Sequence, residues 1–175
     1  NNEVIVNLTN SQLKTKLLIA ADGANSQVRT LAGIGTTGWD YKQSAMLINV
    51  ETQTAQQDIT WQQFTPTGPV AMLPMPGKNA SLVWYHQRVE INRLVNLPNQ
   101  QLEVEIAQHF PERLGKVKVI NKASFPLTRR HANNYQNKRV LLLGDAAHTI
   151  NPLAGQGVNL GFKDVKALQL SLIHI

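Results

Sequence analysis

The chain has 175 residues, of which 42% are hydrophobic and 16% are charged, and its formal net charge is +6. This composition is too apolar for a disordered chain, and the length suits one domain of roughly 100–200 residues. The absence of cysteine excludes disulfides, thiolate metal sites and a cysteine nucleophile, and no apolar run is long enough to span a bilayer. The basic residues are scattered and lack interleaved aromatic residues, so we expect no nucleic-acid binding.

The first 40 residues carry the patterns of a hairpin strand and of a buried strand. Glu3–Leu8 alternates apolar and polar residues before a turn, and Leu17–Ala21 is a continuous apolar run typical of a parallel sheet. This run leads directly into the segment Asp22-Gly23-Ala24-Asn25-Ser26. A helical turn is predicted over Gln27–Ala32.

Residues 41–126 consist of short apolar stretches separated by proline- and glycine-containing turns, a pattern that predicts an antiparallel sheet. The predicted strands are Ser44–Glu51, Ile59–Phe64, Val70–Leu73, Ser81–His86 and Val117–Phe125. Before the last strand, a helix is predicted from Asn99, as its N-cap, to Phe110. The residues predicted to face inward from this helix are Leu102, Ile106, His109 and Phe110.

The last part of the chain returns to the pattern of a buried strand and a helix. Val140–Leu143 is an apolar run that leads into Gly144–His148. Apolar residues then recur at helical spacing, at Val158, Phe162, Val165, Leu168 and Leu172. We therefore predict the α/β class, in which residues 1–40 and 127–175 form a partial Rossmann-like layer and residues 41–126 form an inserted antiparallel sheet with a helix.

Two of the predicted strands end in an aspartate beside a glycine, at Asp22-Gly23 and at Gly144-Asp145. In open α/β sheets, ligands bind beyond the carboxyl ends of the strands. A carboxylate there accepts hydrogen bonds from ribose-like hydroxyls, and glycine lets a ligand approach the backbone. The alternative is that each aspartate only caps the turn that follows it.

The segment Asn151–Asn159 places Gly155 and Gly157 just before the predicted helix. A helix N-terminus presents unpaired N–H groups and a partial positive charge, which can stabilise an anion or an electron-rich ring edge. An ordinary glycine-rich loop is the alternative, and neither common phosphate-binding fingerprint is present in the sequence.

No side chain is identified as catalytic from the sequence alone. Ser26 lacks the context of a nucleophilic serine, and the histidines lack the spacing of a zinc site, so no metal is expected. His148, three residues after Asp145, could act as a base, but a histidine satisfied by backbone groups is the stronger interpretation.

Three motifs together resemble one known family. Ala21–Arg29 resembles the DG motif of class A flavoprotein monooxygenases, Gly144–His148 resembles their GD motif, and Pro152–Asp164 resembles the signature of the ubiquinone-biosynthesis hydroxylases within that family. The resemblance extends from Leu17 to Leu168. Similarity to one branch, which acts on a polyprenylated benzoquinol ring, is carried by Thr60–Pro66, Ala80–Tyr85 and Phe125–Ala132, and by Asn151 where many relatives have histidine.

The resemblance implies FAD as cofactor, NAD(P)H as reductant, and hydroxylation of the quinol ring by O2 through a flavin C4a-hydroperoxide. Residues 1–40 and 127–175 would then belong to the FAD-binding domain, and residues 41–126 to the substrate domain. The middle sheet would form one wall of the substrate pocket, lined by Trp61, Phe64 or Trp84. A place in the core is the alternative for Trp61, Trp84 and Tyr85.

The same resemblance implies a role for each cofactor-binding residue. Asp22 and Gly23 would lie near the pyrophosphate, Arg29 would support their turn, and Asp145 would bind the ribityl hydroxyls. The remaining implied contacts to the flavin ring come from Pro152, Gly155, Gln156, Gly157 and Asn159.

The family's N-terminal glycine-rich strand–turn–helix and its C-terminal helical part have no counterpart in this sequence. We therefore expect the chain to be the central and later portion of a longer enzyme, with residues 171–175 outside the native continuation and weak FAD retention in isolation. The alternatives are a sister aromatic hydroxylase with a soluble phenolic substrate and a non-catalytic truncated chain. The expected location is the cytoplasm, with peripheral contact at the inner face of the cell membrane favoured by the positive charge. Other proteins of ubiquinone biosynthesis are candidate partners.

Overall fold

The computed structural model describes residues 3–53, 59–152 and 155–173. The strands are β1 (Val4–Asn7), β2 (Gln12–Thr15), β3 (Leu18–Ala20), β4 (Thr36–Thr52), β5 (Trp61–Thr65), β6 (Gly68–Pro74), β7 (Asn79–Gln87), β8 (Val117–Ala132), β9 (Gln136–Asn137), β10 (Val140–Leu142) and β11 (His148–Thr149). The helices are α1 (Gln27–Leu31), α2 (Arg88–Asn96), α3 (Asn99–His109) and α4 (Gly157–Ile173).

The chain divides into two compact units. The discontinuous unit consists of residues 1–40 and 128–175, and the continuous unit consists of residues 41–127. The domain roles that the sequence suggests for residues 1–40, 41–126 and 127–175 stay predictions.

The continuous unit is an antiparallel sheet with α2 and α3 packed on one face. Its strand order is β8-β4-β7-β6-β5, and the register pairs Met46 with Trp84 and Val70 with Trp84. Alternate residues of the strands, such as Ile48 and Leu82, are fully buried in one cluster with Ile91 and Ile106 of the helices. This alternation is the reason that the sequence pattern predicted the sheet correctly.

The aromatic residues of the sheet belong to the core. Trp61 and Trp84 are buried in the same cluster, and each ring meets Phe110 edge-on, with centroid separations of 6.4 Å and 5.2 Å respectively. Tyr85 is buried on the opposite face beside Ala45. The core interpretation is therefore confirmed, and the prediction that Trp61 or Trp84 lines a substrate pocket is wrong.

The helical region of the continuous unit differs from its prediction in three respects. Helix α2 was not predicted, because only Ile91 and Leu94 along it are buried and no side chain caps its start. Pro98, not Asn99, is the N-cap of α3, and the Asn99 amide instead donates to the Val119 carbonyl at 3.2 Å. His109 bonds back to the carbonyl of Glu105, and its ring lies 5.2 Å from that of the buried Trp84, but the residue is exposed and lies at the rim of the core instead of inside it.

The discontinuous unit contains a three-stranded sheet of order β3-β10-β9 and the long helix α4. As predicted, β3 is a strand of a parallel pair: its residues Leu18–Ala20 lie beside Val140–Leu142 of β10. Helix α4 also forms where the apolar spacing predicted it, but that stripe faces solvent. Val158 and Phe162 are both 68% exposed. In the described part of the chain, no helix has the length and hydropathy needed to cross a membrane.

Replacing Leu82 with alanine is expected to destabilise the continuous unit by about 2–5 kcal/mol, because truncation of a fully buried side chain leaves a cavity. The measurement is urea unfolding followed by the fluorescence of the buried Trp61 and Trp84. The matched control is Leu73→Ala on the adjacent strand, where the leucine is 42% exposed. Equal losses in the two variants would contradict the assigned core.

Candidate functional site

The two aspartate turns of the sequence leave neighbouring strands at the same edge of the sheet. Ala20 of β3 pairs with Leu142 of β10, and the Leu143 N–H donates to the Ala20 carbonyl at 2.9 Å. Because the strands are parallel, the chain continues from both in the same direction, into Asp22 and Asp145. The structure thus brings together two segments that are far apart in sequence.

Arg29 links the two turns directly. Its guanidinium donates through Nη1 to the Ala146 carbonyl at 2.8 Å and through Nη2 to the Ala24 carbonyl at 3.0 Å. The side chain is buried and forms no ion pair with any described residue. A buried cation whose partners are only carbonyls leaves a positive potential at this edge, which favours an anionic ligand.

Asp22 supports the start of helix α1, whose N-cap residue is Ser26. Its Oδ1 accepts from the Ser26 hydroxyl at 2.5 Å, its Oδ2 accepts from the Val28 N–H at 3.2 Å, and Ser26 Oγ accepts from the Arg29 N–H at 2.9 Å. Partial desolvation opposes ionisation, but these hydrogen bonds together outweigh it, so the pKa of Asp22 lies below its ordinary value. Both Asp22 oxygens thus stabilise the turn and the start of α1, whereas its place near the pyrophosphate stays a prediction.

Asp145 is different, because its carboxylate is free. It lies in the 3₁₀ turn Gly144–Ala146, begun by Gly144 at φ +57°, a conformation that favours glycine. The side chain is exposed, and it forms no hydrogen bond or ion pair within the described residues. Capping therefore does not account for Asp145, and its oxygens are available to hydroxyl donors of a ligand.

His148 is held by a carboxylate and not by the backbone, so that part of the sequence interpretation is wrong. Its Nε2 lies 2.7 Å from Oδ2 of Asp164, and the Gly144 N–H donates to the same oxygen at 2.8 Å. Sequence reasoning gave Asp164 no role. The available signal was that Asp164 is the one acidic residue in the sequence of α4, three positions after Gly161.

The segment from Thr149 to Asn159 supplies unpaired polar groups. Gly157 begins α4, and a Cβ atom added at Gly155 or Gly157 would meet nothing within 4 Å, so a ligand can approach the backbone here. The Gly155 N–H itself donates to the Pro152 carbonyl at 2.9 Å. In the described part of this segment, Thr149 Oγ1 and Asn151 Oδ1 are buried without a hydrogen-bond partner. Pro152 and Gln156 lie in the segment before α4, and Asn159 lies in the first turn of that helix. Residues 153 and 154 lie outside the described residues.

These groups fit a nucleotide cofactor with hydroxyl, pyrophosphate and ring-edge functions. A free carboxylate suits hydroxyls, a buried guanidinium suits an anion, and a helix N-terminus suits an electron-rich ring edge. Within residues 3–53, 59–152 and 155–173, no cluster of three or more histidine or acidic side chains could hold a metal ion.

Comparison with known proteins identifies the family. Residues 5–175 match the sequence profile described as "FAD binding domain". The chain belongs to this FAD-binding family. The family predicted from the DG and GD motifs is thereby confirmed, and so is FAD as its cofactor class.

Two of the curated relatives that the chain resembles are named as hydroxylases. The chain is 57% identical over 156 residues to 3-demethoxyubiquinol 3-hydroxylase of Escherichia coli K12, covering 89% of this chain and 40% of the relative. It is 39% identical over 162 residues to ubiquinone hydroxylase UbiL of Rhodospirillum rubrum, covering 92% of this chain and 38% of that relative. The chain therefore spans about 40% of the length of these relatives.

Solved structures show the same fold. An aklavinone-11 hydroxylase complex with FAD and aklavinone matches with a TM-score of 0.77 at 21% identity, over 93% of this chain and 31% of that one. The p-nitrophenol 4-monooxygenase PnpA of Pseudomonas putida matches with a TM-score of 0.75 at 23% identity, over 93% of this chain and 42% of PnpA. The predicted mixed α/β class is confirmed by these matches.

Replacing Arg29 with methionine is expected to loosen both turns, because the Ala24 and Ala146 carbonyls lose a charged donor that contributes about 1.5–3 kcal/mol per hydrogen bond. Amide hydrogen exchange at residues 23–26 and 144–147 should accelerate together. Arg139→Met is the control, since that guanidinium donates to the Lys16 carbonyl at 3.2 Å in a solvent-exposed hydrogen bond. Faster exchange in only one turn would contradict the bridging role.

Acidification is expected to weaken the start of α1. A carboxylate with a lowered pKa stabilises the fold fully above its ordinary pKa of 3.8, and this stabilisation is lost as the pH falls through the lower pKa of the folded form. A ¹³C NMR titration of the Asp22 carboxyl should give a midpoint below the ordinary value of 3.8. Asp22→Asn should reduce the difference in unfolding midpoint between pH 7 and pH 3, and an unchanged difference would exclude the linkage.

Proposed function

We propose that the whole protein is an FAD-dependent monooxygenase that hydroxylates a polyprenylated benzoquinol ring, with NAD(P)H as reductant and O2 as the oxygen source. The observation that carries the proposal is the free carboxylate of Asp145 beside a turn that Arg29 ties to the Asp22 turn. The names of the 57% and 39% identical relatives support the quinol as substrate.

The residues of this chain would bind and orient the cofactor. Asp145 would accept hydrogen bonds from the sugar-alcohol hydroxyls, and the positive charge of Arg29, behind the turn of Asp22 and Gly23, would favour the pyrophosphate. Pro152 and Asn159 would contact the flavin ring. The loop at Gly155 and the start of α4 at Gln156 and Gly157 would approach the electron-rich ring edge, where the positive end of the helix would stabilise negative charge. When bound, FAD supplies the electron transfer and the activation of O2.

The substrate is proposed to lie against the face of the continuous unit's sheet that α2 and α3 leave open. The pairing register places Leu47 and Val83 together on this face, with Ala71 beside Val83. Leu47 is 38% exposed and Leu73 is 42% exposed, so the face offers apolar surface. This surface suits a ring that carries a hydrocarbon tail. Phe64, 72% exposed at the edge of the sheet, is retained as a lining residue.

The location of the protein and its assembly are also proposals. A net charge of +6 favours contact with an anionic membrane surface, where a polyprenylated substrate resides. A cytoplasmic enzyme bound peripherally to the inner face of the cell membrane, beside other proteins of ubiquinone biosynthesis, follows from that charge and substrate class.

The test is a chimera in which this chain replaces the matched 156-residue segment of the Escherichia coli relative. The chimera is expected to retain FAD and to hydroxylate a short-tailed demethoxyubiquinol analogue in preference to a soluble phenol. A folded chimera without FAD would support the non-catalytic alternative. Preference for the phenol would support a sister aromatic hydroxylase.

Within this chimera, Asp145→Ala is expected to weaken FAD binding by about 1–3 kcal/mol, the loss typical of hydrogen bonds to a charged group. The measurement is the dissociation constant from quenching of flavin fluorescence. Asp40→Ala, which removes another exposed carboxylate of the discontinuous unit, is the matched control. Equal affinities for the two variants would remove the role assigned to Asp145.

A further inference from the structure

Asp164 joins three parts of the discontinuous unit through a single oxygen atom. It lies in the middle of α4, and its Oδ2 accepts from the Gly144 N–H at 2.8 Å and lies 2.7 Å from His148 Nε2. Gly144 begins the turn that carries Asp145, and His148 follows the turn. The carboxylate therefore holds this turn at both of its ends.

We propose that Asp164 is a positioning residue, which fixes the Asp145 turn against α4 and thereby sets the geometry of the cofactor site. The identity of the ligand rests on the proposed function, whereas the positioning itself does not.

Helix α4 contacts the turn along one face. Gly161 lies almost one helical turn before Asp164, and a Cβ atom added there would lie 3.6 Å from Gly144 Cα. The helix backbone thus lies against the turn at Gly161 and is hydrogen-bonded to it at Asp164. Because Gly157 begins the same helix, Asp164 also determines how the start of α4 lies relative to Asp145.

The ring of His148 is also held by packing against two other rings. It is stacked on His131, with centroids 6.2 Å apart, and lies 5.8 Å from the ring of Tyr135. The Tyr135 hydroxyl lies 3.0 Å from His131 Nε2, so these two rings are also fixed to each other. This packing presents His148 Nε2 to Asp164 at no further cost in side-chain freedom.

The carboxylate suits this double role, because one of its oxygens can accept two hydrogen bonds at once. An apolar residue at position 164 would leave both the Gly144 N–H and His148 Nε2 without this acceptor.

The first experiment measures the positioning in the full chain without any ligand. Amide exchange at Gly144 is followed by NMR in the wild type and in Asp164→Ala, Asp164→Asn and Lys163→Ala. We expect exchange about tenfold faster in Asp164→Ala, because the acceptor is lost. Asp164→Asn should rescue most of the protection through its carbonyl oxygen. Lys163→Ala, an exposed neighbour on the same helix, should match the wild type.

The second variant guards against a general loss of folding. His148→Phe keeps an aromatic ring between His131 and Tyr135 but removes the bond to Asp164. Gly144 should again exchange faster in this variant, with the far-UV circular dichroism spectrum unchanged. Unchanged exchange in His148→Phe and in a folded Asp164→Ala would overturn the proposal.

The third measurement connects positioning to the ligand, by FAD titration of the chimera with the Escherichia coli relative. Asp164→Ala should raise the dissociation constant about tenfold, and Asp164→Asn by clearly less, because a displaced Asp145 makes poorer hydrogen bonds. A wild-type chimera that binds no FAD while Gly144 exchange still responds would refute the proposed function alone. Normal FAD affinity in Asp164→Ala would refute the link to the cofactor site.

Discussion

Strands β3 and β10 pair in parallel over only three residues each, Leu18–Ala20 against Val140–Leu142. Because these strands point the same way, the turns that follow them emerge together. The guanidinium of Arg29 makes the second connection, since it binds one carbonyl of each turn. Every cofactor contact proposed for the discontinuous unit presupposes this short parallel pair.

The three aspartates around this edge have different roles because their partners differ. Asp22 uses both of its oxygens to shape helix α1 and its own turn. Asp164 uses one oxygen to hold the next turn in place. Asp145 has no partner among the described residues, so it alone retains full capacity for a ligand. Asp145, the carboxylate available to a ligand, is thus flanked by Asp22 and Asp164, each of which fixes backbone near it.

The sequence predicted most elements whose residues alternate or repeat with a clear period, such as the strands around Leu82 and helix α4. It failed where a tertiary contact decided the structure. Helix α2 has few buried residues, and Asn99 donates to Val119 instead of capping α3. The motifs located both aspartate turns, but neither composition nor spacing could show that both Asp22 oxygens accept hydrogen bonds from the start of α1. The role of Asp164 depends on a contact with Gly144, 20 residues away, and was invisible to local patterns.

The interrupted course of the discontinuous unit bears on how the molecule folds. Arg29 and its acceptor at Ala146 are 117 positions apart, whereas the continuous unit is a single uninterrupted segment. Closing so long a loop costs entropy, and distant pairings form slowly. During synthesis the continuous unit can therefore complete its sheet first, while the edge of β3 stays unpaired until β10 leaves the ribosome. During this interval the unpaired edge of β3 can pair with another chain, so the nascent protein is then most prone to aggregate.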